Sequence, residues 1–216
     1  MSVVADRDQL LCLFGGSFDP VHQGHLAMIN HLLNLHPAVE LVILPAAQSP
    51  LKHTTTSFCH RLSMLKLATE HLARTHIDDR ESNRPGPSYT IDTLREYRHE
   101  HPQQRLVWVM GDDGIADLDR WKSWSLFPEL VHCLVLMRTG GTIHVPGFHP
   151  TQHIDDLFQK DAGLVLTLRN ALYACTSTRI RALLATQDPR ASSLLPEPVY
   201  RFIQDHHLYQ GAKNSL

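Results

Sequence analysis

The chain alternates short, continuously apolar runs with segments of helical periodicity, and this alternation constrains the fold most. Apolar runs predict strands that are buried on both faces, and they cover residues 10–14, 41–44, 106–110, 133–137 and 164–168. Ile77 marks a further short strand. Because buried strands separated by helices favour a parallel sheet, we expect an α/β fold, a Rossmann-like doubly wound parallel sheet with helices on both faces.

The length of 216 residues suits one domain. We expect a single domain over 1–210, with a small C-terminal helical part at about 177–210 and a flexible tail at 211–216. The stretch 139–150 is rich in Gly, Pro and His, which predicts a surface loop or a lid.

Composition excludes several classes of protein. The formal net charge of −2 argues against a nucleic-acid partner, and no apolar stretch approaches the length of a membrane span. The first ten residues lack the apolar core of a secretory signal. The four cysteines form no C-x-x-C pair, so we expect reduced core thiols in a cytoplasmic protein, with no protein-bound metal. They are Cys12, Cys59, Cys133 and Cys175.

Residues 15–25, GGSFDPVHQGH, follow the first strand and open the first helix. Gly15 and Gly16 would let backbone N–H groups approach an anion, and the helix start would add free N–H donors and a positive dipole end. His22 and His25 are three residues apart and therefore share one face of the first turn. An isolated pair of this kind is more often a surface or capping feature, but the strand–turn–helix context favours a phosphate site.

A second helix start is predicted near Ser177. Thr176 or Ser177 would cap a helix whose apolar side includes Ile180, with Arg181 as an additional donor to phosphate. Taken alone, this pattern is an ordinary cap followed by a solvated arginine. Gly111 and Asp113 follow the strand at 106–110 and so lie at the carboxyl end of another strand.

A third helix start lies within residues 81–94, ESNRPGPSYTIDTL. Ser88 or Thr90 would cap the helix and leave N–H groups for an anion, with Tyr89 beside them. The simpler alternative is a loop-to-helix cap with a packed tyrosine. Trp121 and Trp124 are aromatic side chains that could stack on a flat ring, or pack in the core.

These segments resemble the motifs of one known family. His22, Gly24 and His25 match the H-x-G-H motif of the nucleotidyltransferase superfamily, and the longer form is similar to that of nicotinate-nucleotide adenylyltransferases. Residues 111–113, 81–94 and 174–181 resemble that family's G-x-D, E-x-x-R-x-G-x-S-Y-T-x-D-T-L and I-S-S-T-x-I-R motifs. The resemblance extends from Leu11 to about Tyr209, with the motifs in family order.

The resemblance implies an enzyme that transfers AMP from ATP to nicotinate mononucleotide, with Mg²⁺ carried by ATP, acting as a monomer or homodimer. The implied catalytic residues are His22, His25, Lys52 and Arg181. The implied ATP-binding residues are Gly15, Gly16, Ser17, Phe18, Gly24, Gly111, Asp113, Thr176, Ser177 and Thr178. The implied acceptor-binding residues are Asp19, Tyr89, Thr90, Trp121 and Arg138.

The chain departs from the family pattern at three places. Leu51 and Thr139 stand where the family has histidine and proline, and the adjacent Cys175 and Thr176 stand where it has isoleucine and serine, with the hydroxyl kept at Thr176. Trp124 competes with Trp121 for the stacking role. Three other functions are weighed against this one: a sibling adenylyltransferase with another acceptor, a catalytically silent nucleotide-binding protein, and a fragment of a class I synthetase. The block at 81–94 argues against the first, the intact His22, His25 and Arg181 against the second, and the lack of a KMSKS-like loop against the third.

Overall fold

A seven-stranded sheet forms the centre of the computed structural model, which describes residues 8–51, 54–137, 143–169 and 175–210, without the side chain of residue 113. The strands lie in the order β3-β2-β1-β4-β5-β7-β6, and every neighbouring pair is parallel. They are β1 (Leu10–Gly16), β2 (Val39–Pro45), β3 (Thr75–Ile77), β4 (Arg105–Gly111), β5 (His132–Met137), β6 (His149–Thr151) and β7 (Leu164–Arg169). The predicted parallel α/β fold is confirmed.

Helices cover both faces of the sheet. They are α1 (Gln23–Leu35), α2 (Phe58–Thr69), α3 (Thr90–Glu100), α4 (Asp112–Ala116), α5 (Phe127–Leu130), α6 (Ser177–Ala185), α7 (Arg190–Ser193) and α8 (Glu197–Asp205). Short 3-10 turns occupy Arg80–Asn83, Leu118–Arg120, Trp124–Leu126 and Ile154–Phe158. Along the described chain, no helix has both the length and the apolar character needed to cross a membrane.

The side chains of β1 show why the hydrophobic core consists of two clusters, one on each face of the sheet. Leu10, Cys12 and Phe14 point to one face, where they pack in a cluster with residues of α1, α2, α6 and α8. Leu11 and Leu13 point to the other face and pack with residues of α3, β4 and α5. Because side chains alternate along a strand, a strand that is apolar at every position must be covered on both sides.

The strand order reverses between β1 and β4, which are paired in the middle of the sheet. From β1 the chain winds outward to β2 and β3, and from β4 it winds the other way to β5 and β7. The carboxyl ends of β1 and β4 leave a crevice between the two directions of winding, which is where ligands bind in open α/β sheets. Gly15 and Gly16 end β1 at this crevice, and Gly111 ends β4.

Two expectations from the sequence need correction. Residues 143–150 are not a plain surface loop, because Val145 and Phe148 are buried and β6 pairs with β7 at the edge of the sheet. Pro150 is tolerated there because an edge strand leaves one side of its backbone unpaired. All four cysteines are free, but Cys59 is exposed and so is not a core thiol. The predicted tail, 211–216, lies outside the described residues.

Candidate active site

Two helix starts share one cavity at the crevice between β1 and β4. This first cavity has a volume of about 440 Å³ and is lined by the turn after β1, the first turn of α1, the end of β4 and the first turn of α6. His22 and His25 line it from one side, and Thr176, Ser177 and Arg181 line it from the other. The sequence placed both helix starts at a phosphate site, and the fold brings them to the same space.

His22 and His25 form a reciprocal cap at the start of α1. Nδ1 of His22 accepts the backbone N–H of His25 at 3.3 Å, and Nδ1 of His25 accepts the backbone N–H of His22 at 3.3 Å. His22 is the N-cap residue, with extended backbone. The arrangement is a capping box built from two imidazoles in place of a hydroxyl and a carboxylate.

This cap determines where the imidazole protons lie. A neutral imidazole has one donor and one acceptor nitrogen, so when Nδ1 accepts, Nε2 carries the proton. Burial of His22, which is 5% exposed, lowers its pKa from 6.5 to about 4, so its ring is neutral at neutral pH. Each ring that caps through Nδ1 therefore presents an Nε2–H donor, and the residue serves as a cap and as a donor together.

Gly24 makes room for the imidazole of His22. A Cβ atom at position 24 would lie 3.0 Å from both Cε1 and Nδ1 of that ring. This is closer than ordinary van der Waals contact, so any larger residue would displace the ring. The glycine between the two histidines is explained by the space that His22 occupies.

The backbone N–H groups of the first turn of α1 are not free donors, contrary to the sequence expectation. The N–H of Gln23 donates to the carbonyl of Leu194 at 3.0 Å, and the N–H of His25 is engaged by His22. The N–H of Gly24 is directed to the thiol of Cys175. Donors to an anion on this side of the cavity are therefore the imidazoles, aided by the helix dipole.

The start of α6 is open to a ligand. Oγ1 of Thr176 accepts the N–H of Arg179 at 3.2 Å, which confirms Thr176 as the cap and leaves its hydroxyl proton available. Oγ of Ser177 donates to the carbonyl of Pro20 at 3.0 Å and ties α6 to the turn after β1. Within the described residues, the backbone N–H groups of Ser177 and Thr178 have no acceptor and can donate to an anion.

Arg181 and Asp19 connect the same two segments. Nη1 of Arg181 donates to the backbone carbonyl of Asp19 at 2.7 Å, and Nη2 lies 3.4 Å from Oγ1 of Thr178. The carboxylate of Asp19 is 2% exposed and accepts the N–H of Thr55 at 2.7 Å and the hydroxyl of Tyr209 at 2.6 Å. These contacts favour a structural use of the Asp19 carboxylate, and its predicted contact with the acceptor remains a prediction.

Arg61 is an important residue that the sequence reasoning missed. Its guanidinium group is buried, and it donates to the carbonyls of Ser17 at 2.6 Å, Ala47 at 3.1 Å and Thr56 at 3.3 Å. Arg61 thus holds the turn after β1 against the segment that follows β2. Its only signal in the sequence was a charged residue on the apolar face of α2, next to Met64 and Leu65.

Trp108 was also missed, because it lies inside an apolar strand run. Its indole ring separates the first cavity from a second one of about 170 Å³ and lines both. A Cβ atom at position 15 would lie 2.4 Å from Cη2 of Trp108, so Gly15 is required by the indole ring as much as by any ligand. Six residues line both cavities, namely Gly15, Gly16, Ser17, Trp108, Gly114 and Trp121.

The second cavity contains the start of α3. Tyr89 and Thr90 both line it, and their predicted contact with the acceptor stays a prediction. The predicted cap by Ser88 or Thr90 is wrong, because Tyr89 is the N-cap residue and no side chain caps the helix. Oγ of Ser88 instead accepts the N–H groups of Ala47 at 3.1 Å and Gln48 at 3.2 Å and fixes the loop after β2.

Trp121 lies at the junction of the two cavities, whereas Trp124 is not among the residues that line either. The ring of Trp121 meets Trp108 and Phe127 edge to face, with centroids 6.3 and 6.2 Å apart. The placement favours Trp121 over Trp124 as a stacking surface.

Three predicted site residues cannot be placed. Two of them, Lys52 and Arg138, lie outside the described residues, as does Thr139, to which no site role was assigned. The side chain of Asp113 is likewise not described, although its backbone belongs to α4, directly after Gly111. Gly111 lines the first cavity, as do Phe18 and Gly24. The roles of Lys52, Arg138 and Asp113 therefore stay predictions.

Sequence comparison places the chain among proteins of known type. A cytidylyltransferase-like family model matches residues 13–183. A probable nicotinate-nucleotide adenylyltransferase of Psychromonas ingrahamii is 33% identical over 214 residues, covering 94% of this chain and 99% of that protein. A protein of the same description from Gloeobacter violaceus is 35% identical over 202 residues, covering 92% and 95%.

Structural comparison gives the same fold. Plasmodium falciparum nicotinic acid mononucleotide adenylyltransferase complexed with NaAD superposes with a TM-score of 0.75 at 19% identity, covering 93% of this chain and 97% of that one. The crystal structure of a protein described as a putative nicotinate-nucleotide adenylyltransferase from Vibrio parahaemolyticus superposes with a TM-score of 0.65 at 15% identity, covering 94% of this chain and 96% of that one. At these identities the superpositions support the fold.

Proposed function

The chain belongs to the nicotinate-nucleotide adenylyltransferase family, and on that premise we propose that it transfers the adenylyl group of ATP to nicotinate mononucleotide, forming deamido-NAD and pyrophosphate. It is thus an ATP-using nucleotidyltransferase of NAD biosynthesis. The geometry of the site must account for nicotinate mononucleotide as the acceptor.

One observation carries the proposal, namely that the two cavities adjoin along a shared wall. The first cavity contains the starts of α1 and α6, which suit a triphosphate, and the second contains Tyr89 and Thr90. A reaction between two phosphates needs two subsites that meet where the bond forms. Ser17 and Trp121 lie on the shared wall, and we place the α-phosphorus of ATP beside it.

The reaction that fits this geometry is an in-line displacement. An oxygen of the mononucleotide's 5′-phosphate attacks the α-phosphorus of ATP, and the bond to the bridging oxygen of pyrophosphate breaks. The attacking phosphate is already anionic, so no side chain has to remove a proton from it. Catalysis then consists of alignment and stabilisation of charge on the phosphoryl oxygens.

The donors for this charge come from both helix starts. We assign Nε2–H of His22 and His25 to the α-phosphate oxygens, since both rings cap through Nδ1. The backbone N–H groups of Ser177 and Thr178, for which the described residues provide no acceptor, suit the β- and γ-phosphates together with the hydroxyl of Thr176. Arg181 retains guanidinium N–H groups beyond those bound to Asp19 and Thr178, and these suit the leaving pyrophosphate.

Mg²⁺ is proposed to arrive with ATP. Among the described residues, no group of three or more His, Cys, Asp or Glu side chains could hold a metal ion. When bound by the triphosphate, Mg²⁺ would neutralise phosphate charge.

Other features remain proposals. Lys52 would contact the transferring phosphates, Arg138 would contact the acceptor, and Asp113 and Gly111 would border the adenosine. We also propose a single domain over 1–210, a monomer or homodimer, and a cytoplasmic location.

The proposal is tested by comparing acceptors. The purified chain is mixed with ATP, Mg²⁺ and either nicotinate mononucleotide, nicotinamide mononucleotide or phosphopantetheine, and pyrophosphate release is measured by a coupled assay. We expect the highest kcat/KM with nicotinate mononucleotide and a product with the mass of deamido-NAD. A preference for phosphopantetheine would assign the chain to a sibling reaction, and no pyrophosphate with any acceptor would reject catalysis altogether.

A further inference from the structure

Four charged side chains line the second cavity among the described residues, namely Glu81, Asp117, Arg120 and Lys122. The ion-pair partners of these four side chains determine the net charge that a ligand in the second cavity would meet. The carboxylate of Glu81 is 5% exposed, accepts the hydroxyl of Thr93 at 2.8 Å and lies 3.6 Å from Arg84. Its charge is therefore already matched by groups of the protein.

Arg120 is also matched within the cavity lining. Its Nη1 lies 2.9 Å from Oδ1 of Asp117, and Asp117 lines the same cavity. A ligand near this pair meets both signs of charge together, so the pair contributes little net potential.

Lys122 differs from Arg120 in the position of its counter-ion. Its Nζ lies 3.1 Å from Oδ2 of Asp92, which is not among the residues that line the second cavity. The same Nζ lies over the ring of Tyr89, 4.5 Å from the centroid, and this contact holds the ammonium group beside the start of α3. Lys122 thus lines the second cavity, whereas its carboxylate partner Asp92 does not.

We propose that Lys122 is a specificity-determining residue that favours acceptors carrying an anionic substituent on the ring over acceptors carrying a neutral one. The inference rests on the proposed function, because it takes the second cavity as the acceptor subsite. A carboxylate beside Tyr89 is attracted to the Lys122 ammonium, whereas a carboxamide at the same place gains no such attraction. Lys122 acts on the substrate's charge and takes no part in the transfer itself.

The primary test compares a variant that removes the positive charge at position 122 with a variant that keeps it. For wild type, Lys122→Met and Lys122→Arg, kcat/KM is measured with nicotinate and nicotinamide mononucleotide, and the ratio of the two values is the discrimination. Because Lys122 is 47% exposed, we expect Lys122→Met to lower the discrimination by about threefold to fivefold, the upper part of the range for an exposed ion pair. Lys122→Arg keeps the charge and should keep the discrimination.

Two further measurements separate charge from shape. Raising the salt concentration should reduce the discrimination of wild type toward that of Lys122→Met and should leave Lys122→Met nearly unchanged, since salt screens an exposed charge. Asp92→Asn removes the competing carboxylate and should increase the discrimination, which is the opposite sign to Lys122→Met.

Several outcomes would overturn the inference. They are equal discrimination in Lys122→Met and wild type, an equal loss of kcat/KM for both mononucleotides, and a discrimination that does not respond to salt. If wild type itself forms no dinucleotide from either mononucleotide, the proposed function fails instead. The two failures are thereby distinguished.

Discussion

The imidazole rings of His22 and His25 are stacked, with their centroids 3.7 Å apart and their planes inclined by 26°. Each ring binds the other residue's backbone N–H through Nδ1, so the two functions of an imidazole are divided between its two nitrogens. Nδ1 of each ring stabilises the helix start, and Nε2 of His22 carries the proton that can be donated to a ligand. Substitutions that keep one nitrogen's function can therefore test each role by itself.

Asparagine and glutamine at position 22 should have opposite effects. In His22→Asn the amide oxygen can replace Nδ1 as the helix cap, but no group replaces Nε2, so we expect near-normal stability and a kcat lowered by about 10²–10³. In His22→Gln the amide nitrogen can approach the Nε2 position while the cap is lost, so we expect more residual turnover and a loss of about 1 kcal/mol in unfolding free energy. Steady-state kinetics and urea denaturation measure the two effects. Wild-type turnover in His22→Asn would contradict the assignment of Nε2 as a donor.

Stability should depend on pH through His22. Burial lowers its pKa from 6.5 to about 4, so between these values the unfolded chain binds a proton that the folded chain does not. The stability contributed is full above pH 6.5 and is lost as pH falls toward 4, by about 2 kcal/mol at pH 5. Urea denaturation at pH 8 and pH 5 measures the loss.

The control for this prediction is His22→Asn, which keeps the cap and has no titrating ring. The pKa of His132 is also lowered by burial, but that residue is present in both proteins, so the difference between them isolates His22. We expect the variant to lose about 2 kcal/mol less than wild type between the two pH values. Equal losses would show that His22 titrates normally in the folded state.

The fold was predictable from local pattern. Apolar runs at 10–14 and 106–110 are long enough to identify central strands, and the Gly-Gly turn after the first of them marks the end of a strand at a ligand crevice. Strand β6 was not predicted, because three residues that include a proline show no strand pattern in the sequence. The strand forms by pairing with β7 at the edge of the sheet. The formation of this strand therefore depends on its neighbour in the sheet and could not be predicted from its own residues.

The role of a site residue could be predicted from the sequence where that role depends only on the start of the helix in which the residue lies. The Thr176 cap and the facing positions of His22 and His25 are of this kind. The roles of Arg61 and Trp108 depend on segments far away in sequence, so no local pattern predicts them. The same reason explains the error about free N–H groups in α1, because the carbonyl of Leu194 that binds Gln23 comes from the C-terminal helical part.

A hydrogen bond between Tyr209 and Asp19 should contribute to holding the C-terminal segment in place. The hydroxyl of Tyr209 donates to Oδ1 of Asp19 at 2.6 Å, and burial together with this carboxylate raises the pKa of Tyr209. Tyr209→Phe removes the donor and leaves a buried carboxylate with fewer partners, so we expect a loss of about 2 kcal/mol in unfolding free energy. Chemical denaturation measures this loss.

Tyr200→Phe is the matched control, because the hydroxyl of Tyr200 has no partner among the described residues while its ring packs against the same core. We expect this change to alter stability by less than about 0.5 kcal/mol. Similar losses in the two variants would show that the Tyr209 hydroxyl contributes nothing specific through Asp19.

Trp121 should be required for the acceptor, and Trp124 should not. Trp121 lies on the wall shared by the two cavities, so its ring can stack on the pyridine of a bound mononucleotide. In Trp121→Leu the apolar contact with Trp108 is partly kept but the flat surface is lost. We expect the KM for nicotinate mononucleotide to rise about tenfold, with a smaller change for ATP.

Trp124→Leu is the control, because Trp124 lines neither cavity and its loss should leave both KM values within about twofold of wild type. If Trp124→Leu instead produces the larger rise for the mononucleotide, the stacking role belongs to Trp124, and the shared wall at Trp121 serves packing alone.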